Sequence, residues 1–489
     1  MADWLYPDLC IIGAGAGGIA AAERAVRLGA RVVLIERHRF GGDTLTLGAV
    51  PALGLIEAAN RAESVREAGS FGIETESPRP VWRKVHGRVD ALIAATAPQL
   101  AEPRLNALGV TTLKGEARFI DKRTLLVGET HIRPAATLIA TGTESVVPPL
   151  EGLNDVPYFT LDTILDNTRK LTHLLIAGAT PRSLELAQAY RRLGAEVTLV
   201  DPAPRLLPQA DADLMAPILA RLEREGVRLR PATALVELKA RSMGIGARVR
   251  HAEGDDLLDI SHLLLVTERR PRLDGLGLEL AGVQRLKADP SRLRLTAAGR
   301  TTNGRIYAVA ATDQVGTVAA AVTEAAFLAD RILFGVAARP DLAAVPRLMR
   351  TDPALAEVGL SETDLRRMKG RRGYEVIRIG YGENDRARAG LRADGQLRVL
   401  ITPDEHILGA AVVGPEAGEL IALFALAISK SMRLADLGHL ALPYGTHAAL
   451  VQGLVHRRLD ARVRPILERW VALRRQIRRV MDKSGQRNA

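Results

Sequence analysis

The chain has 489 residues, which is too long for one hydrophobic core and predicts about three domains. Aromatic residues make up only 3% of it, which argues against surfaces that stack on nucleic-acid bases, and the net charge of +11 mostly favours solubility. The single cysteine, Cys10, excludes an internal disulfide and a thiolate metal cluster, and we expect no metal site. Cys10 lies in an apolar run that predicts a buried strand, where a thiol serves as a small core side chain.

A strand–turn–helix–strand pattern opens the chain. The strand is predicted over 8–12, the turn over 13–18, the helix over 19–28 and the second strand over 31–35. Gly13, Gly15 and Gly18 give the spacing GxGxxG, in which the glycines allow a tight turn, close approach of a pyrophosphate and close helix packing. Glu36 ends the second strand, where a carboxylate can bind ribose hydroxyls. The pattern predicts a dinucleotide site.

The same pattern returns in the middle of the chain. It is predicted as a strand over 173–177, a turn over 178–183, a helix over 184–193 and a strand over 196–200. Only Gly178 remains of the glycine spacing, because Thr180 and Ser183 occupy the other two places. Arg182 can contribute to phosphate binding, and Asp201 closes the second strand, which favours NADH over NADPH because NADH has a free ribose 2′-hydroxyl.

The order of elements predicts an α/β fold with two doubly wound Rossmann-like nucleotide-binding domains and a C-terminal α+β domain. Between the two units, residues 80–108 have helical character, and 111–113 and 124–127 are predicted strands. The predicted divisions are 1–149 and 265–340 for the first nucleotide domain, 150–264 for the second, 341–455 for the α+β domain and 456–489 for a basic helical tail.

Further segments resemble one family. They are residues 41–51, 140–142, 351–360 and 409–415. Together with the two units they resemble the pyridine nucleotide-disulfide oxidoreductases, such as dihydrolipoamide dehydrogenase, glutathione reductase and mercuric reductase, from Asp8 to about Leu454. Leu184–Tyr190 and Pro443–Tyr444 are most similar to mercuric reductase. The resemblance implies FAD at the first site, NAD(P)H at the second and a homodimer through the α+β domain. The further flavin-site residues that it implies are Arg37, Gly41, Gly42, Ala117, Thr141 and Gly142.

The family's redox loop carries two cysteines, and this chain has Thr44 and Ala49 in their places. Thiol–disulfide exchange needs a thiolate nucleophile, so reduction of dithiols, glutathione disulfide or mercuric ion by the family mechanism is excluded. The loop's lysine position is Leu53, whereas the glutamate that pairs with this lysine in relatives is retained as Glu185. The joint loss of the two cysteines, this lysine and the family's C-terminal histidine and glutamate indicates coordinated loss of one function.

The C-terminal His–Glu pair of the family aligns with Leu442 and His447. Leucine cannot move a proton, and His447 is either a proton carrier or an ordinary loop histidine. Tyr444 has an unperturbed pKa near ~10 and can donate a hydrogen bond but is a poor base. The candidate catalytic residues are therefore Glu185, Tyr444 and His447.

At two positions this sequence differs from the family in a way that disfavours nucleotide binding. The family's late FAD-binding acid aligns with Ala311, and Asp313, two residues further on, either replaces it or is a loop residue. Glu268 stands where the family has a glycine, and a carboxylate near a dinucleotide is unfavourable unless it turns away.

The tail is predicted to be a basic amphipathic helix after Pro465. Its apolar residues at helical spacing are Ile466, Leu467, Trp470, Leu473, Ile477 and Val480, with arginines between them. Such a helix can lie on an anionic membrane surface or pack on its own dimer or on an acidic partner. The sequence shows neither a secretory signal nor a membrane-spanning apolar run, so we expect a cytoplasmic protein, with membrane association at the inner face if the tail binds lipid.

The leading functional prediction is an FAD-dependent oxidoreductase that passes a hydride from NADH through flavin to a small non-disulfide acceptor. The acceptor would be a quinone, a metal ion or a second nicotinamide, because flavin carries this chemistry by itself. The alternative is a non-catalytic flavoprotein used as a scaffold or redox sensor. Glu185 and Asp201 favour the enzyme, whereas Leu53, Glu268 and Ala311 favour the scaffold.

Overall fold

The computed structural model describes residues 3–309, 317–336, 342–369 and 373–485, with side chains outside the description at 459–466 and 478–485. The chain forms two compact units, the first from Met1–Pro208 and Leu222–Leu342, the second from Gln209–Arg221 and Ala343–Ala489. The segment 209–221 therefore groups with the C-terminal unit, whereas the sequence predicts it within the second nucleotide domain. An ion pair between Asp211 and the buried Arg398 holds it there.

The first sheet of the first unit has five parallel strands. In spatial order they are Ile306–Ala308, Ala136–Ile139, Leu9–Ile12, Val32–Glu36 and Val110–Lys114. The two central strands are buried at every residue, as expected for a parallel sheet covered on both faces. The helices Ala16–Arg27 and Val318–Phe334 pack together, and a Cβ at Gly17 would lie 3.2 Å from the carbonyl oxygen of Ala321. The chain thus returns to this sheet after the second nucleotide unit.

Smaller elements surround this sheet. One small sheet contains Trp4–Leu5, Thr130–Ile132, Leu125–Val127 and Arg118–Phe119, and a two-stranded ribbon contains Arg269–Pro271 and Thr143–Ser145. Four helices from the first 110 residues accompany this sheet: Gly42–Thr46, Ala49–Glu67, Trp82–Thr96 and Glu102–Ala107. The sequence predicts helical character throughout 80–108, and the structure has two helices there, separated by a 3-10 turn at Ala97–Gln99 that contains Pro98.

The second sheet of the first unit is also parallel and five-stranded. Its spatial order is Phe159–Thr160, His262–Leu265, His173–Ala177, Glu196–Val200 and Val227–Arg230. A three-stranded antiparallel sheet of Ala234–Ala240, Ile245–His251 and Gly254–Ile260 follows it. The helix Pro181–Arg192 connects the two predicted strands of the second unit. The α/β prediction with two doubly wound domains is confirmed.

The second unit is built on an antiparallel sheet. Its strands, in spatial order, are Arg347–Met349, Ala354–Gly359, Ile407–Gly414, Gln396–Ile401 and Glu375–Gly380. Its helices are Glu362–Lys369, Asp385–Ala389, Ala417–Ser429, Leu434–Leu437 and Ala449–Gly485, and Ala212–Arg224 begins in this unit. The sequence predicts a helical tail after Pro465, and in the structure the helix starts earlier, at Ala449, and includes that proline. Its first turns are fixed by Leu450 and Leu454, which are buried in the core of this unit.

Candidate functional site

The first glycine turn lies at the carboxyl end of the first sheet, where doubly wound folds bind their ligands. Gly13 has a φ of +102°, and a Cβ there would lie 2.4 Å from the carbonyl oxygen of Ala140. A Cβ at Gly18 would lie 1.8 Å from the carbonyl oxygen of Gly13. At Gly15, in contrast, an added Cβ would have no heavy atom within 4 Å. The first and third glycines therefore allow close packing, and the second leaves open space.

This open space lies at the start of the helix Ala16–Arg27. Gly15 is its N-cap and brings no side chain to the N–H groups of the first turn. Those N–H groups and the positive end of the helix dipole are what a pyrophosphate needs. The turn therefore fits the pyrophosphate of FAD.

Glu36 is only 8% exposed and points back at the same turn. Its Oε2 accepts a hydrogen bond from the backbone N–H of Ala14 at 2.8 Å, and its Oε1 accepts one from His38 at 2.7 Å. Each carboxylate oxygen keeps a second acceptor position, which a ribose hydroxyl can use. The position and the orientation of the Glu36 carboxylate thus fit the predicted contact with a ribose.

Four more predicted flavin-site residues gather around this turn. The N–H of Gly41 donates to the carbonyl of Ala14 at 2.8 Å, and a Cβ at Gly42 would lie 2.9 Å from Cα of Gly15. Thr141 follows the strand Ala136–Ile139, and a Cβ at Gly13 would lie 3.1 Å from its Cα. Gly142 is the next residue, with a φ of +71°. Of the other predicted flavin-site residues, Ala117 is buried in the core and Arg37, which follows Glu36, is exposed, whereas Asp313 lies outside the described residues.

An ion pair that the sequence did not predict lies close to this turn. Arg272 lies 3.0 Å from the carboxylate of Asp43, the residue that follows Gly42. Its backbone N–H also donates to the carbonyl of Gly142 at 3.0 Å. The pair joins segments 229 residues apart, and the only sequence signal was an acid directly after the two glycines. The ion pair therefore joins the start of the redox loop to the segment that follows the strand Ala136–Ile139.

The redox-loop positions lie on two consecutive helices. Thr44 belongs to the short helix Gly42–Thr46, and Ala49 begins the long helix Ala49–Glu67. A Cβ at Gly48, the residue before Ala49, would lie 3.8 Å from Cα of Thr44, so the chain comes back close to Thr44 just before Ala49. The loop is compact, but its side chains are a hydroxyl and a methyl group.

Glu185 has a cationic partner on its own helix. The carboxylate is 4% exposed, and its Oε2 lies 2.8 Å from Nη1 of Arg182, one turn earlier. Leu53, at the family's lysine position, is 49% exposed. Arg182 therefore supplies a counter-charge to Glu185, which leaves this arginine less free to bind a phosphate.

The second glycine turn differs from the first at its helix N-terminus. Gly178 keeps the tight turn, with a φ of +112° and a would-be Cβ 2.3 Å from the carbonyl oxygen of Val266. Thr180, in the place of the second glycine, accepts a hydrogen bond from the N–H of Ser183 at 3.1 Å, and the Ser183 hydroxyl accepts one from the N–H of Thr180 at 2.7 Å. Pro181 has no N–H to offer. The helix thus caps itself where a dinucleotide pyrophosphate would bind.

The residue at the ribose end of this turn, unlike the helix N-terminus, resembles its counterpart at the first turn. Asp201 accepts a hydrogen bond from the N–H of Ala179 at 2.6 Å and one from Ala203 at 2.8 Å, as Glu36 does at the first turn. The side chain of Glu268 is exposed, so its charge is solvated. The residues therefore fit a dinucleotide at its ribose end, and the pyrophosphate end fits only if the cap opens.

The C-terminal candidates lie in the second unit. Tyr444 is 87% exposed, and its hydroxyl donates to Asp385 at 3.0 Å, which raises the pKa of the tyrosine. Burial lowers the pKa of His447, whose Nδ1 has no hydrogen-bond partner among the described residues and whose ring lies 5.5 Å from that of Tyr381. Tyr444 is therefore a hydrogen-bond donor at neutral pH, and His447 is neutral.

Comparisons with known proteins agree with this geometry. The family model described as pyridine nucleotide-disulphide oxidoreductase matches residues 7–325, and that of its dimerisation domain matches residues 345–453. The chain belongs to the pyridine nucleotide-disulphide oxidoreductase family, whose members are FAD-dependent oxidoreductases that use NAD(P)H. The dimerisation domain indicates a homodimer.

Two relatives show how far the similarity extends. Dihydrolipoyl dehydrogenase of Thermus scotoductus is 32% identical over 463 residues, covering 92% of this chain and 96% of the relative. Mercuric reductase of Acidithiobacillus ferrooxidans is 33% identical over 470 residues, covering 91% of this chain and 81% of the relative. The resemblance stated from the motifs is confirmed.

Solved structures share the fold. LpdA from Mycobacterium tuberculosis superposes with a TM-score of 0.84 at 22% identity, covering 93% of this chain and 99% of that one. The HOCl-induced flavoprotein disulfide reductase RclA from Escherichia coli superposes with a TM-score of 0.79 at 21% identity, covering 92% and 99%. Within the described part of this chain, no helix combines the length and apolar character needed to cross a bilayer.

Proposed function

We propose that this protein is an FAD-dependent oxidoreductase in which the flavin is the sole redox centre and the electron acceptor is not a disulfide. The observation that carries the proposal is the redox loop, which keeps a compact form but carries Thr44 and Ala49. Cys10 is fully buried in a central strand, and burial raises the pKa of its thiol well above the usual range. A buried neutral thiol is a poor nucleophile, so it does not replace the missing pair.

The first glycine turn supplies what flavin binding requires. Gly15 leaves space for the pyrophosphate, the helix after it presents uncapped N–H groups, and Glu36 faces the ribose position. Bound FAD would supply two-electron chemistry without any further group. The acceptors that this chemistry allows are a quinone, a metal ion or a second nicotinamide.

NADH, in preference to NADPH, is the proposed electron donor. The support is Asp201, which stands at the ribose end of the second turn with an acceptor position left on each oxygen. Its negative charge would repel a 2′-phosphate. Binding of the pyrophosphate requires the hydrogen bonds between Thr180 and Ser183 to open.

That cap favours a second candidate, a non-catalytic flavoprotein used as a scaffold or redox sensor. A helix N-terminus that is satisfied by its own Thr180 and lacks an N–H at Pro181 has less to offer an anion than the turn at Gly15. In this case the flavin would be bound at the first turn, and the second domain would be a structural element. We propose the cytoplasm as the location of the protein under either candidate.

Anaerobic stopped-flow mixing of the FAD-loaded dimer with NADH, and separately with NADPH, distinguishes the candidates. The proposal expects flavin reduction by both and a faster reduction by NADH. Equal or faster reduction by NADPH would remove Asp201 from its proposed role. Retained flavin with no reduction by either nucleotide would support the scaffold and contradict the enzyme.

A further inference from the structure

The last helix, Ala449–Gly485, has two parts. In its first part Leu450, Val451, Leu454 and Val455 are buried against the antiparallel sheet. Arg458 ends this part with ion pairs to Glu375 at 2.7 Å and Glu405 at 3.3 Å, and the family's dimerisation domain ends at residue 453. From residue 459 the helix continues to Gly485, a length of about 40 Å at 1.5 Å per residue. This second part is the distal helix.

The distal helix carries an exposed apolar stripe. Between residues 467 and 477 five large apolar side chains are about half exposed or more: Leu467, Trp470, Val471, Leu473 and Ile477. At 100° per residue they fall within one face of the helix. In the sequence, Leu459, Val463, Ile466 and Val480 extend the same spacing of three and four residues in both directions. A contiguous apolar surface of this kind marks an interaction site.

The charge of the distal helix indicates the chemistry of its partner. Residues 459–485 contain eight basic and three acidic side chains, a net charge of +5. Arg469, Arg474 and Arg475 are all exposed. Pairing with the same helix of a second copy would bring two such charges together, which is unfavourable, whereas an anionic surface is complementary to them.

The position of one arginine distinguishes a lipid surface from a dry helix–helix contact. On the helix surface Arg474 falls between Leu467 and Trp470, inside the apolar face. A dry contact between helices would bury its guanidinium, which is costly. At a bilayer interface the long side chain can reach the phosphate headgroups while its stem covers apolar surface, and a tryptophan such as Trp470 is favoured there.

We propose that the distal helix lies in the interface of an anionic lipid bilayer, with the apolar stripe at the acyl boundary and the arginines on the headgroup phosphates. It lies on the membrane and does not cross it, since its apolar residues alternate with arginines. This proposal is independent of the electron donor and acceptor.

The test is co-sedimentation of the full-length FAD-loaded protein with vesicles. We expect binding to vesicles of equal parts phosphatidylcholine and phosphatidylglycerol, little binding to phosphatidylcholine alone, and a loss of binding as salt rises. The double variant Trp470→Gln/Leu473→Gln should bind at least ~10-fold more weakly, because it removes two large apolar side chains from the stripe. The matched control is Ala472→Gln, which adds the same amide on the opposite face and should bind like the wild type.

Three outcomes would overturn the proposal. They are no binding to anionic vesicles at low salt, equal binding of the double variant and the wild type, and equal weakening by Ala472→Gln. Light scattering of the same proteins provides the second readout. If the wild type does not bind vesicles and the double variant no longer dimerises, the stripe is a protein–protein interface.

Discussion

Arg182 donates a hydrogen bond to Glu185 at 2.8 Å, and both residues lie on the helix that follows the second glycine turn. Glu185 is buried, and the family's lysine position, Leu53, carries no charge. We therefore expect Arg182→Leu to lower the free energy of unfolding by about 1–3 kcal/mol, since it removes a partner from a buried carboxylate. Urea denaturation measures this.

The matched variant is Arg182→Leu/Glu185→Gln. It removes the buried charge together with its partner, so it should recover most of the lost stability. A single variant as stable as the wild type would show that the carboxylate does not depend on Arg182.

Gly15→Ala tests the flavin site without disturbing the apoprotein. The new Cβ meets no heavy atom within 4 Å and the backbone is extended, so the free energy of unfolding of the apoprotein should change by less than about 1 kcal/mol. FAD affinity should fall by about 10-fold or more, because the methyl group occupies the space of the pyrophosphate.

Gly87→Ala is the control, since its Cβ also meets no heavy atom within 4 Å and lies on an exposed helix position. It should leave FAD affinity unchanged. Equal FAD binding by Gly15→Ala and the wild type would mean that the flavin does not use this turn.

Thr180→Gly tests whether the cap limits use of a nicotinamide. Replacement of the N-cap threonine with glycine should cost only about a few tenths of a kcal/mol of stability, and it frees the N–H of Ser183. Stopped-flow reduction of the flavin by NADH should then become faster. Thr180→Ser keeps a hydroxyl and should behave like the wild type; an unchanged rate in Thr180→Gly would show that the cap does not control access.

Thr44→Cys/Ala49→Cys tests the geometry of the redox loop. The chain comes close to Thr44 at Gly48, one residue before Ala49, so we expect the two introduced sulfurs to come within bonding reach. Under oxidising conditions we expect a disulfide, and thiol titration should find only Cys10 after denaturation without reductant. The two single variants are the controls. Thiols that stay free in oxidant would show that the loop no longer brings these positions together.

The parts of the site that could be predicted from the sequence are local. Gly13, Gly15, Gly18 and Glu36 are close in the chain, and each has a backbone or packing reason that a pattern reveals. The cap formed by Thr180 and Ser183 could also be predicted from the sequence, because two hydroxyl residues three positions apart at a helix start are a capping signal.

The parts that escaped prediction depend on distant segments. The contact of Arg272 with Asp43 joins two segments that meet only because the chain returns to the first sheet. The start of the last helix was missed because Pro465 suggested a boundary, whereas the burial of Leu450 and Leu454 decides where the helix begins. Asp313 lies outside the described residues, so its role as an FAD-binding acid stays a prediction.

An anaerobic reductive titration of the wild-type holoenzyme with dithionite tests the central claim most directly. With Thr44 and Ala49 in the loop, the flavin should be fully reduced after two electrons, with no thiolate-to-flavin charge-transfer absorption at any stage. Uptake of four electrons per flavin, or a charge-transfer band at the midpoint, would reveal a second redox group beside the flavin and contradict the account.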